Sequence, residues 1–171
     1  MTARPSRLVL LSAESNSLTE ARSAALPGVP ILALCWQAPD AETSAALSTS
    51  EVVDLSQCPR PLSERAIAAT GLLALSRALS RTAPGRLIAS FGPAHRSRLF
   101  AARVQRSGAW APRSGDVVIA LDTAATRAAW FAQRRVEGVQ ARVGLRAGLS
   151  LFDYSGEAEP SVGRSSPASE A

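Results

Sequence analysis

Chemistry has few places to reside in this chain, and the first is the stretch Gly92-Pro93-Ala94-His95-Arg96-Ser97-Arg98. His95 is the only histidine, and it stands between an apolar run at 86–91 and a helical stretch of about 96–106. An imidazole titrates near neutral pH and can take a proton from a hydroxyl. Arg96 and Arg98 would lie where a helix start presents unpaired N–H groups, a combination suited to a phosphate or carboxylate. The same residues also read as plain turn chemistry followed by a surface histidine.

The second place is Asp122-Thr123, directly after the apolar run 117–121. Asp122 is a candidate base toward an acceptor hydroxyl and Thr123 a candidate ligand contact. Either could instead cap the next helix, because a short side-chain oxygen there accepts from backbone N–H groups that have no partner within the helix. The third place is the polar stretch Ser12 to Ser17, whose hydroxyls and amide could face a ligand or serve as caps. The candidate set is therefore His95 and Asp122 as catalytic residues, with Ser12, Ser15, Asn16, Gly92, Arg96 and Thr123 as ligand contacts.

Other chemistries lack their residues. All 19 basic residues are Arg, so a P-loop lysine and a Schiff-base lysine are both missing. No glycine occurs between Met1 and Leu26, which removes the GxGxxG dinucleotide fingerprint after a first strand. There is no GxSxG elbow, and a Ser-His-Asp set would have to recruit His95 with Asp122 or Asp54. Cys35 and Cys58 stand 23 residues apart and outside any His/Cys cluster, so each is expected as a small core hydrophobe. No metal and no cofactor are expected.

The elements that must hold these residues follow from the apolar pattern. The run 117–121 shows no polar alternation, as a strand covered on both faces by helices does; short apolar runs at 7–12, 30–36, 51–55 and 86–91 read as further strands, and 139–145 resembles a sixth. Helices are expected over about 18–26, over 96–106, and from Asp122 to Arg135 with Gly138 as the stop. The longest is expected to open at Ser63 and Glu64, with Ala68, Leu72, Leu75 and Leu79 on its core side and Arg77 and Arg81 on a wetter one. Residues 39–50 read as a loop or short helix, and Leu149 to Tyr154 as an edge strand or a docking segment. The resulting fold class is α/β, a three-layer sandwich with a mainly parallel Rossmann-like sheet of five to seven strands.

One family shares a passage of this kind. Asp116-Val-Val-Ile-Ala-Leu-Asp122, an Ala-rich helix ending in Gln133-Arg-Arg135, a glycine and a strand at 139–145 resemble the N-terminal Rossmann-like half of GT-B glycosyltransferases. The likeness covers 116–145 and otherwise rests on the order of elements. It departs where Ser12 to Ser17 replaces the family's glycine-rich loop, and where Ala120 stands in place of the histidine of its DVVH-type strand. The resemblance implies an acceptor-side surface, a sugar acceptor or nucleotide sugar as ligand, and a partner chain supplying the donor half, for which 171 residues leave no room. The alternative is a non-catalytic α/β binding or interaction module, with Trp36, Trp110 and Trp130 as anchors or as core.

A formal charge of +5 raises the question of nucleic acid, but the arginines are scattered and few aromatics lie between them, so none is expected as a partner. A partner chain or a second copy is the expected macromolecular contact. The apolar run at 8–11 is too short for a leader, no stretch is long enough to span a bilayer, and a reducing cytoplasm is the expected location. One domain is expected over 1–154, followed at 155–171 by a Gly/Ser/Pro/Glu/Ala tail too poor in apolar residues to order itself.

Overall fold

Strands buried on both faces account for the unbroken apolar runs. The computed structural model describes residues 5–14, 17–20, 28–46, 51–85 and 92–153. The strands are β1 (Arg7–Ser12), β2 (Ile31–Cys35), β3 (Glu51–Asp54), β4 (Asp116–Ala120) and β5 (Gln140–Val143). Between and after them come α1 (Ser17–Glu20), α2 (Ala41–Ala46), α3 (Leu62–Ala69), α4 (Leu72–Leu79), α5 (Arg96–Arg106), α6 (Thr126–Arg135) and α7 (Leu145–Asp153). The expected strand at 86–91, the helix beyond Glu20 and the tail at 155–171 lie outside the described residues.

The sheet order is β3-β2-β1-β4-β5, and every pair is parallel. Leu8 pairs with Ile31 on one side and Val117 on the other, which makes β1 the central strand. The side-chain period of two then divides the core. Val9, Leu11, Leu32, Leu34, Val118 and Ala120 face α5 and α6 with Phe100, Val104 and Ala128. Leu8, Leu10, Ile31, Ala33, Val117 and Ile119 face the opposite layer with Leu18, Leu145, Leu149 and Phe152. The molecule is thus a three-layer α/β sandwich around a parallel sheet.

At the amino end of the strands a buried carboxylate ties the sheet together. Asp116 is 1% exposed and accepts from Arg7 Nε at 3.1 Å and Nη2 at 2.7 Å. It also accepts from the Arg113 N–H at 2.9 Å. This lashes β1, β4 and the 110–115 bridge together at the end of the sheet away from the strand tips, so it is a matter of stability.

Two expectations are corrected. The helix expected to run on from Ser63 is interrupted: Thr70 Oγ1 donates to the carbonyls of Ala66 and Ile67, and Gly71 adopts φ 70 before α4 begins. The side expected to pack does so only in part: Leu72 and Leu79 are half-buried, while Ala68 is exposed and Leu75 is 54% exposed. The cause is tertiary, because α4 borders a cleft, which Leu73, Ser76 and Arg77 line together with Ser80 just past the helix. The other correction is at 149–153, where the chain forms part of α7 and not an edge strand, and packs on the sheet as the alternative of a docking segment allowed.

α7 docks through a glycine. A β-carbon on Gly148 would meet Ile119 Cδ1 at 2.1 Å, so the helix sits on the sheet only because no side chain is there. Gly148→Ala should therefore cost about 1–3 kcal/mol by overpacking, despite alanine's better helix propensity. Urea titration reads this directly, and a stabilised variant would show that α7 does not lie against Ile119.

Candidate functional site

The carboxyl ends of β2 and β3 open into a cleft of about 730 Å³. Its floor is built from residues that the local sequence would not associate. Arg103 on α5 reaches Glu64 on α3 through a two-pronged bond, Nε to Oε2 at 2.8 Å and Nη2 to Oε1 at 2.7 Å. Its remaining nitrogen donates to the Leu55 carbonyl at 3.0 Å, just past β3. The guanidinium also lies 4.9 Å from the centre of the Trp36 ring, which stacks on Phe100 at 5.9 Å. The hydrogen bonds that Arg103 donates to Glu64 raise its pKa above its already high value, outweighing the opposing effect of burial.

Around this floor stand His95, which precedes α5, and Arg96 at its start, Arg60 from the turn after β3, Ser76 and Arg77 from α4, and Ser80 just past α4. His95 Nδ1 lies 2.7 Å from Ser97 Oγ. When Nδ1 carries the proton and donates to that oxygen, Nε2 is left with the lone pair. Arg96 Nη1 lies 3.1 Å from Glu14 Oε1, and its Nη2 donates to the Ala13 carbonyl. Glu64, which lines the cleft, is taken up by Arg103, and among the described residues neither Arg60 nor Arg77 has a carboxylate partner.

Asp122 lies at the neighbouring crevice, between the carboxyl ends of β1 and β4 where the strand order changes direction. Open α/β sheets place ligands at such points. Here the chain's own carboxylate fills the place of an anion. Asp122 Oδ2 accepts from the N–H of Ala13 at 2.7 Å and of Glu14 at 3.0 Å, while Oδ1 accepts from the Ala125 N–H at 2.8 Å. The last of these closes the turn that leads into α6, whose N-cap residue is Ala125 and not the Asp122 or Thr123 expected. No hydrogen bond joins His95 to Asp122; the turn at Ala13 and Glu14 is held by Asp122 on one side and by Arg96, the neighbour of His95 in sequence, on the other.

The other candidates divide. Ser12 is fully buried and Oγ donates to the Glu14 carbonyl at 2.6 Å, so its single proton is engaged within the turn. Ser15 and Asn16 lie outside the described residues. The Gly92 carbonyl accepts from the His95 N–H at 3.2 Å and shapes the turn before α5. Thr123 lines a separate hollow of about 420 Å³ with Ser97, Arg127 and Trp130. Of the tryptophans, Trp110 is core, Trp36 is cleft floor, and Trp130 is 47% exposed beneath Arg134.

The floor pair is what sequence reasoning missed. Arg103 sits four residues after Leu99 and one before Val104, on the buried stripe of α5. An arginine on an apolar stripe demands a buried acceptor, and that signal was available. Nothing comparable marks Arg60 or Arg77.

Cys35 and Cys58 are both free thiols. Burial pushes the Cys35 thiol up from 9.0 to about 11, with the charge of Asp54 adding to it. For Asp54 itself burial acts upward, yet hydrogen bonds from the Ser56 side chain and backbone and from Gln57 and Ala38 hold its pKa below the ordinary value. Because the fold prefers the neutral Cys35 thiol, its stabilisation is fully present below pH 9 and lost as pH rises through about 11. Cys35→Ala should flatten that alkaline loss, on the order of 2 kcal/mol, in urea titrations between these limits. An unchanged alkaline slope would show that Cys35 is not the group responsible.

Among the described residues no group of His, Cys, Asp and Glu is placed to hold a metal ion, and no helix is long and apolar enough to cross a membrane. Set against protein-family models, curated proteins and solved structures, the chain matches none.

Proposed function

We propose that this chain is the acceptor-binding half of a glycosyltransferase-like enzyme whose donor site is carried by a partner chain. The supporting observation is the cleft of about 730 Å³ at the strand tips, with His95 and several cations on its walls. Its size suits a small metabolite, and its place at the carboxyl rim is where parallel α/β sheets bind ligands. The filled crevice beside Asp122 accords with a donor held elsewhere.

In this reading His95 is the base. The acceptor hydroxyl oxygen bonds to the anomeric carbon of a nucleotide sugar presented by the partner. The bond from that carbon to the diphosphate breaks, the electron pair leaves with the diphosphate, and the hydroxyl proton passes to the imidazole. Asp122 holds the rim and takes no proton. A cytoplasmic setting is part of the proposal, in keeping with the two free thiols.

A non-catalytic binding module is the second reading, and the engagement of Asp122 by backbone donors favours it by tying up one of the two candidate bases. Thermal shift separates the outcomes. Acceptor sugars and sugar phosphates should raise the melting temperature, nucleotide sugars alone should not, and His95→Ala should remove the shift. Stabilisation by nucleotide sugars alone, unaffected by His95→Ala, would contradict the proposal. Acceptor binding that survives His95→Ala would select the binding module.

A further inference from the structure

The helix beside the cleft borders it with polar residues. Leu73, Ser76 and Arg77 of α4 and Ser80 just after it share one face by their spacing, and that face lines the cleft, while Leu75 points to solvent at 54% exposure. Hydroxyls and a guanidinium on a cleft wall suit a polar occupant. The charge of the walls says which sign. Four arginines line the cleft against a single carboxylate, Glu64, which Arg103 already engages. Arg96 is engaged by Glu14 and the Ala13 carbonyl. Arg60 and Arg77 are left, on different elements, without a carboxylate among the described residues.

The number of donors says which anion. A carboxylate offers two oxygens and is satisfied by one arginine fork. Two guanidiniums from separate elements, together with the Ser76 hydroxyl, suit the three terminal oxygens and higher charge of a phosphate. We infer that the ligand of this cleft is a small molecule bearing a phosphate, held between Arg60 and Arg77 with its remainder toward His95 and Trp36. This rests on reading the cleft as the ligand site and adds the substrate class.

The test is calorimetry of the full chain at low ionic strength with glucose 6-phosphate, glucose and inorganic phosphate. The phosphorylated sugar should bind at least about tenfold more tightly than glucose, as charge-assisted bonds require. Arg60→Ser and Arg77→Ser should each weaken it by about tenfold, whereas Arg81→Ser, just past α4 and off the cleft, should not. All three positions are exposed, so the variants should fold, and circular dichroism checks this. Inorganic phosphate binding as well as the sugar phosphate would make the site an anion hole only and overturn the assignment. Equal binding of glucose and its phosphate would overturn the phosphate class while leaving the cleft as the acceptor site. Binding of neither, with no response in the arginine variants, would remove both readings.

Discussion

Arg103→Met should destabilise the chain by about 3–5 kcal/mol, because it leaves Glu64 as an unpaired carboxylate in a mostly buried setting. It also leaves the Leu55 carbonyl without its donor and uncovers the Trp36 ring. The side chains of Arg103 and Glu64 are 5% and 11% exposed, so solvent screening recovers little. The double variant Arg103→Met with Glu64→Leu removes both charges and should regain most of the loss, since apolar residues of like volume often replace a buried ion pair at small cost. Urea denaturation of the two single variants and the double variant forms the cycle. A single variant within about 1 kcal/mol of the parent would mean that the pair stands in water.

Asp122→Ala has the second large effect. Its carboxylate accepts from the N–H groups of Ala13, Glu14 and Ala125, joining the turn after β1 to the start of α6. Each of the three bonds contributes about 1 kcal/mol, for a total of about 3 kcal/mol. Amide exchange at those three positions should accelerate ahead of the core. Asp122→Asn, which keeps one accepting oxygen, should lose about half as much. A variant of unchanged stability that no longer binds ligand would instead make Asp122 a ligand contact, as the sequence alone allowed.

The sheet was legible because strands covered on both faces leave continuous apolar runs. β1 lies where its run places it, β2 and β3 fall within theirs, and α5 spans the stretch expected for it. The site was legible only in part. Asp122 does follow the tip of β4 and His95 lines the cleft, but sequence spacing carries no information on whether a carboxylate will meet substrate or a neighbouring turn, and Asp122 meets the turn. The α3 and α4 region was misjudged for a related reason. Leu72, Leu75 and Leu79 have a core-like period, yet the break at Thr70 and Gly71 sets α4 beside a cleft, where Leu72 and Leu79 are only half-buried and Leu75 is exposed. Periodicity shows that a helix has two faces, and only the fold decides which is inside.

α7 shows the same limit at shorter range. Leu149 to Phe152 are apolar enough for either a strand or a helix, and the deciding residue is Gly148, whose missing side chain lets the helix lie on Ile119. Local propensity disfavours glycine there by about 1 kcal/mol, and packing overrides it.

The account stands or falls on where a ligand settles at the rim of the sheet. A crystal structure of the chain with glucose 6-phosphate should place the phosphate between Arg60 and Arg77, the sugar against His95 and Trp36, and Asp122 still bonded to the Ala13 and Glu14 amides. A phosphate found on those two amides, with Asp122 swung away and the larger cleft holding only water, would contradict it.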